Sequence, residues 1–331
     1  MVKITNNSYM EIKSHYDYVL NKDRASFKSS NDEPTPISCV EEMIKKIPKS
    51  FWDRSLENMK ILDPVCGNGN FHFVIYNKLI KKKFSPKNIL ENILHFNDID
   101  LNRTIMINSI YEADKYNINV TTQDYLEYNE SNQFDLIVAN PPYAKLLPNG
   151  KRASKNHNLI KPFLEKSLKL LKPNGYLLFL TPDNCMSYAD RNKLIQRITS
   201  LQIMYLNIHT AKKYFKKVGS SFIWYLIKNT PGKRKFTVEG IRKGVNYKSK
   251  VKSEMRKYIP LVYNDIIQSI LHKTIDSNLP KFKVETSSDL HKYTKKHLIT
   301  IEQDEEHPYR LIHTPKQTVY SSRPHKYQEG Y

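Results

Sequence analysis

The sequence predicts an α/β fold, a doubly wound and mostly parallel sheet followed by a smaller C-terminal region. Three observations predict it. Short apolar runs alternate with amphipathic ones from about residue 35 to 228, the runs end on polar residues, and the pattern gives way to a Lys- and Arg-rich stretch beyond Thr230.

The strands come first. MKILDPV (Met59 to Val65), ILHFND (Ile93 to Asp98), INVTTQD (Ile118 to Asp124), FDLIVAN (Phe134 to Asn140) and GYLLFLTP (Gly175 to Pro182) read as buried strands with polar tips. Between them FHFVIYNKLIKK and NLIKPFLEKSLKLLK carry helical periodicity, the second closed by the turn Pro173-Asn174-Gly175. In a doubly wound sheet ligands gather at the carboxyl ends of the strands. The tips Asp63, Asp98, Asp124 and Asn140 are therefore expected along one rim.

Composition narrows the partner. The chain has 331 residues with 53 Lys and Arg against 33 Asp and Glu, a formal charge of +20. Such an excess points to a polyanion, nucleic acid first, with a basic membrane-surface protein as the competitor and an AT-rich coding sequence as a further source of Lys, Asn and Tyr. No stretch reaches the ~20 continuous apolar residues of a spanning helix, and MVKITNNSYMEIK has no apolar signal-peptide core. A soluble, cytoplasmic protein is expected, in the host interior if viral, with no membrane partner. Cys39, Cys66 and Cys185 are scattered without CxxC spacing, so neither a disulfide framework nor a metal site is expected.

Two stretches carry chemistry. In DPVCGNGNF (Asp63 to Phe71), Gly67 and Gly69 permit positive φ and let a ligand lie against the loop, although an ordinary strand-to-helix turn reads the same. The stretch lacks both the GxGxxG of dinucleotide sites and the GK[ST] of phosphate loops, which disfavours NAD and ATP. Asp98 offers an acceptor-only side chain for two ribose hydroxyls; capping a turn is its plainer role. In Asn140-Pro141-Pro142-Tyr143, two prolines stiffen a corner between a carboxamide and a phenol.

Taken in order, Thr35-Pro36, Asp63 to Phe71, Asn97-Asp98-Ile99-Asp100, Gln123-Asp124-Tyr125-Leu126 and Asn140 to Tyr143 resemble the motif series of S-adenosylmethionine-dependent DNA adenine-N6 methyltransferases. The cofactor loop precedes NPPY, as in the gamma group of that family, in the form seen in restriction-modification enzymes. The likeness covers about residues 30 to 230. It implies a seven-stranded Rossmann-like methyltransferase sheet, a catalytic domain over 1–230 and a basic target-recognition region over 231–331, where 20 Lys and Arg face 11 Asp and Glu. That region is short for the group, leaving an incomplete chain or a partner subunit open.

The resemblance implies roles by residue. The Asn140 side-chain oxygen and the Pro141 carbonyl would accept the two amine hydrogens of adenine, Pro142 would fix the corner, Tyr143 would stack on the base, and Phe215 would face it from the other side. Packing under the sheet edge is the alternative for Phe215. Thr35, Asp63, Cys66, Gly67 and Gly69 would meet the methionine portion of S-adenosylmethionine, with Cys66 a small loop residue rather than a nucleophile. Asp98 would take the ribose, Ile99 and Tyr125 would flank the cofactor's adenine, and Asp124 would accept from its amino group. Lys145, Lys151, Arg152 and Lys155 would meet DNA phosphates. The expected partner is double-stranded DNA, the protein a monomer, and a cognate restriction endonuclease a functional partner. A catalytically silent nucleic-acid binder, or methylation of cytosine N4, RNA or protein glutamine, remain the alternatives.

Overall fold

The computed structural model describes residues 2–22, 33–53, 58–129, 133–145, 147, 159–187, 190, 192–216, 219–278, 280, 299–300, 302–314 and 317–321. Two compact units divide the chain, Met1–Ile275 and Asp276–Tyr331.

The first unit is built on β1 (Ile61–Asp63), β2 (Leu94–Asp98), β3 (Asn119–Thr122), β4 (Phe134–Ala139), β5 (Leu171–Pro182), β6 (Leu201–Ile208), β7 (Phe222–Pro231), β8 (Phe236–Arg242) and β9 (Val245–Val251). The order across the sheet is β3-β2-β1-β4-β5-β7-β6-β8-β9. Pairing is parallel from β3 to β5, β7 is antiparallel to both its neighbours, and β8 runs parallel to β6. Hence β1, β2, β3, β4, β5, β6 and β8 all point the same way, and their carboxyl ends share one rim.

Continuous apolar strands reflect burial on both faces. Along β7, Phe222, Trp224 and Leu226 enter one apolar layer, with Ile223, Tyr225 and Ile227 in the other. The first layer takes the helices Tyr9–His15, Ile37–Ile44 and Asn70–Lys81; the second takes Ile160–Leu170, Leu194–Thr199 and Asp265–Thr274. A layer on each face is what an amphipathic helix before and after each strand must build.

The sheet has nine strands where seven were expected, and the expected domain boundary at residue 230 falls inside it. The cause is burial: Phe236, Val238 and Val251 are apolar residues of β8 and β9 that enter the second layer, so the hairpin stays on the sheet. The unit continues to Ile275. In the second unit β10 (Ile299–Thr300), β11 (Tyr309–Thr314) and β12 (Gln317–Ser321) form an antiparallel sheet ordered β10-β12-β11.

Candidate active site

At the carboxyl end of β1 the chain turns through Pro64 to Gly69 into the helix Asn70–Lys81. Gly67 (φ 51°) and Gly69 (φ 81°) are both left-handed, a conformation an L side chain pays for. Space resists one as well, more at Gly69 than at Gly67, where only the movable end of Arg103 stands in the way. A Cβ on Gly67 would lie 2.8 Å from Nη1 of Arg103, and one on Gly69 would lie 2.8 Å from Ile107 and 3.1 Å from the Tyr111 ring.

The turn is pinned from several sides. The Cys66 N–H donates to the Asn97 carbonyl at 2.8 Å and the Gly69 N–H to the Cys66 carbonyl at 2.7 Å. The Tyr111 hydroxyl donates to the Gly69 carbonyl at 3.0 Å. Asp98 accepts the Gly67 N–H on Oδ2 and the Asp100 N–H on Oδ1, both at 2.9 Å. The Asn97 amide nitrogen donates to the carbonyls of Pro64 (2.9 Å) and Gln123 (3.1 Å), and its oxygen accepts from the Thr121 hydroxyl at 2.8 Å. Asn97 is fully buried and so ties the β1 turn to the end of β3.

A second brace comes from the N-terminal segment. Asn21 Oδ1 accepts from the amides of Asn68 (3.2 Å) and Asn70 (3.1 Å), and Asn70 also donates to the Thr35 carbonyl at 2.7 Å. The side-chain oxygens of Asn68 and Asn70 are buried and have no hydrogen-bond partner among the described residues. Orphaned buried acceptors are uncommon and call for a donor.

These elements border an open pocket whose empty space, counting the part that merges with solvent, is about 390 Å³. Of the residues predicted from sequence, Thr35, Asp63, Cys66, Gly67 and Asn140 line it. Sequence reasoning assigned no role to Glu33, Asn68, Asn70 and Arg103, which line it as well. Asn68 and Asn70 stand inside the quoted DPVCGNGNF motif and could have been flagged from their place beside the glycines.

Asp63 is buried, its Oδ1 reached by the Val65 N–H at 3.3 Å. Burial, with the nearby Asp98 carboxylate adding to it, pushes its pKa well above the ordinary value of 3.8. The Cys66 thiol is likewise pushed up, by burial first and then by Asp98 and Asp63, so it is kept protonated and poorly nucleophilic.

Beyond the end of β4, Pro141 is buried and Pro142 exposed. The Tyr143 hydroxyl donates to Asn140 Oδ1 at 2.6 Å. Tyr143 and Phe215 both pack on Phe222, with ring centroids at 6.4 and 4.8 Å. Phe215 is only 3% exposed, so it sits in the apolar layer.

The remaining predicted positions spread out. Ile99 is 61% exposed on the rim. Asp124 caps the turn Tyr125–Glu127, accepting the Leu126 N–H at 2.9 Å. Tyr125 is buried in the second apolar layer with its hydroxyl 2.9 Å from that of Ser167 and its ring against Phe163, so it does not line the cavity. Lys145 is exposed, whereas Lys151, Arg152 and Lys155 lie outside the described residues.

Buried carboxylate and amide oxygens make an acceptor-rich wall, suited to a cationic ligand with N–H donors. The amino-acid end of S-adenosylmethionine has both an ammonium and a sulfonium, so the residues present fit it.

Comparison with known proteins agrees with the fold. The family model of the Eco57I restriction-modification methylases matches residues 68–215. The type II methyltransferase M.VspI of Vibrio sp. (strain 343) is 26% identical over 175 residues, covering 49% of this chain and 41% of that protein. The chain spans about two fifths of the length of the curated relatives it matches. Among solved structures, a Listeria monocytogenes protein assigned to the class I S-adenosylmethionine-dependent methyltransferases superposes with a TM-score of 0.54 at 18% identity, over 72% of this chain and 75% of that one. The DNA complex of DrdV superposes with a TM-score of 0.50 at 15% identity, over 70% and 30%. Residues 68–215 are thus similar to the Eco57I restriction-modification methylases, and the chain has the fold seen in a class I S-adenosylmethionine-dependent methyltransferase.

Proposed function

We propose that the protein methylates DNA at the N6 amine of an adenine turned out of the duplex. One observation supports this most: the glycine turn and Asn140 border the same cavity, so a donor held by the turn and an acceptor base held by the NPPY corner would meet there. S-Adenosylmethionine, when bound, supplies an electrophilic methyl group.

The chain's own residues supply position and charge. Asp63 and the amide oxygens of Asn68 and Asn70 would hold the cationic amino-acid end. The exocyclic amine of adenine is a weak nucleophile because its lone pair is delocalised into the ring, and acceptors on its hydrogens favour the pyramidal form that attacks. Asn140 Oδ1 has two lone pairs. Tyr143 takes one at 2.6 Å, and the second would remain for an amine N–H. The Pro141 carbonyl is the other acceptor, on a backbone that proline has already stiffened. Turning out the base costs a few kcal/mol, and stacking on Tyr143 returns about 1–3 kcal/mol. Phosphate contacts from Lys145 and its neighbours, target recognition by residues 231–331, monomeric action on double-stranded DNA and pairing with a cognate endonuclease belong to the same reading.

The test is incubation with methyl-labelled S-adenosylmethionine and separate DNA, RNA and protein acceptors. Label recovered as N6-methyladenine from DNA is expected, and label confined to cytosine, RNA or glutamine refutes the assignment. Asn140→Ala is expected to keep cofactor affinity and lose about 10²-fold or more in turnover, the scale of removing one preorganised polar partner.

A further inference from the structure

The β8–β9 hairpin carries charge to which the reading above, in assigning target recognition to residues 231–331 as a whole, gives no particular contact. From residue 231 to 252, eight side chains are Lys or Arg and one, Glu239, is acidic. Glu239 is engaged by Lys46 and Lys248 at 3.0 and 2.9 Å. Arg242, Lys243, Lys250 and Lys252 are exposed and make no ion pair or side-chain hydrogen bond among the described residues.

The hairpin is stiff and its direction is fixed. Arg242 pairs with Val245, so Lys243 and Gly244 form a two-residue connection. Their φ values of 47° and 80° are both positive, as a type I′ turn requires. The Tyr247 ring lies against Gly240, where an added Cβ would approach within 2.4 Å, and its hydroxyl donates to the Leu261 carbonyl at 3.0 Å. Because β8 runs parallel to β4 and β1, its tip leaves the sheet on the rim that carries Asp63, Asp98 and Asn140. Four strand spacings separate β4 from β8, roughly 20 Å across the sheet. That is about six base pairs of duplex at 3.4 Å each.

We propose that Arg242 and Lys243, at the tip of this hairpin, contact the phosphate backbone of duplex DNA about six base pairs from the target base. The proposal rests on the DNA methyltransferase reading and adds to it a defined contact surface. Lys250 and Lys252 lie at the opposite end of β9, an edge strand. Lysines there guard an open edge against pairing with other strands, and they take no part in binding DNA.

The experiment uses the full chain and a fluorescently labelled duplex, with affinity followed by anisotropy across a salt series. Arg242→Gln with Lys243→Asn removes both charges and leaves Asn-Gly, which suits a type I′ turn, so the hairpin keeps its shape. Each lost phosphate contact lowers the salt slope by about 0.9, so a fall of about 1.8 is expected, with binding about 30-fold weaker near 0.15 M salt. Lys250→Gln with Lys252→Gln is expected to leave the slope as it was. An unchanged slope in the first pair, or an equal fall in both pairs, overturns the proposal. If the unaltered chain methylates and binds duplex DNA while the first pair changes nothing, only the hairpin contact fails. Absence of any duplex binding by the unaltered chain removes both readings.

Discussion

Replacing Asp98 separates two roles for one carboxylate. As a ribose acceptor it would matter to the cofactor alone, but its oxygens hold the N–H groups of Gly67 and Asp100, each at 2.9 Å. Asp98→Ala leaves the buried Gly67 N–H without a partner, at a cost of about 1–3 kcal/mol. The Asp100 N–H is nearer water and costs about 0.5–1.5 kcal/mol net. Relief of repulsion with Asp63 offsets part of this, so a loss of about 2–3 kcal/mol is expected. In a unit of this size that lowers the melting temperature by roughly 4–12 °C. Asp98→Asn can keep one acceptor and should lose about half as much. Urea unfolding gives the stabilities, and calorimetric titration with S-adenosylmethionine gives the affinities. If both variants stay within about 0.5 kcal/mol of the parent while cofactor affinity falls, Asp98 does not clamp the glycine turn and the reasoning fails.

Two further outcomes are expected. Asp63 has a raised folded-state pKa, so its contribution to stability is complete below 3.8 and is lost as pH rises toward the folded value. Asp63→Asn should therefore melt higher than the parent at neutral pH, the gap closing toward pH 4, while binding the cationic cofactor more weakly; a variant less stable than the parent at neutral pH contradicts this. Phe215→Ala should cost about 3–5 kcal/mol for the space left beside Phe222. Phe215→Leu should restore most of that stability, and if it also slows methylation of a paired target more than of a mispaired one, Phe215 touches the turned-out base as well as the core.

What was legible in the sequence was local. The apolar run Phe134 to Ala139 stops at Asn140-Pro141-Pro142 because proline cannot continue a ladder, and β4 ends there. Gly67 and Gly69 signalled left-handed backbone, and both adopt it. Asn97, Arg103 and Tyr111 gave no such sign: Asn97 reaches Pro64 across 33 positions, a contact that leaves no periodicity behind. The lysines of β8 and β9 obscured Phe236, Val238 and Val251, so a strand pair of the main sheet read as part of a basic target-recognition region. Tyr125 illustrates a different limit. Its place after a strand was readable, but the face its ring would choose depended on Phe163 and Ser167 in a distant helix.

The Asn97 amide, joined to both the β1 turn and the end of β3, has a thermodynamic consequence. Freezing loose backbone costs about 1–2 kcal/mol per residue, and here that entropy is already lost when the chain folds. Ligand capture should then proceed in a single fast phase with little change in amide-exchange protection over residues 63–69.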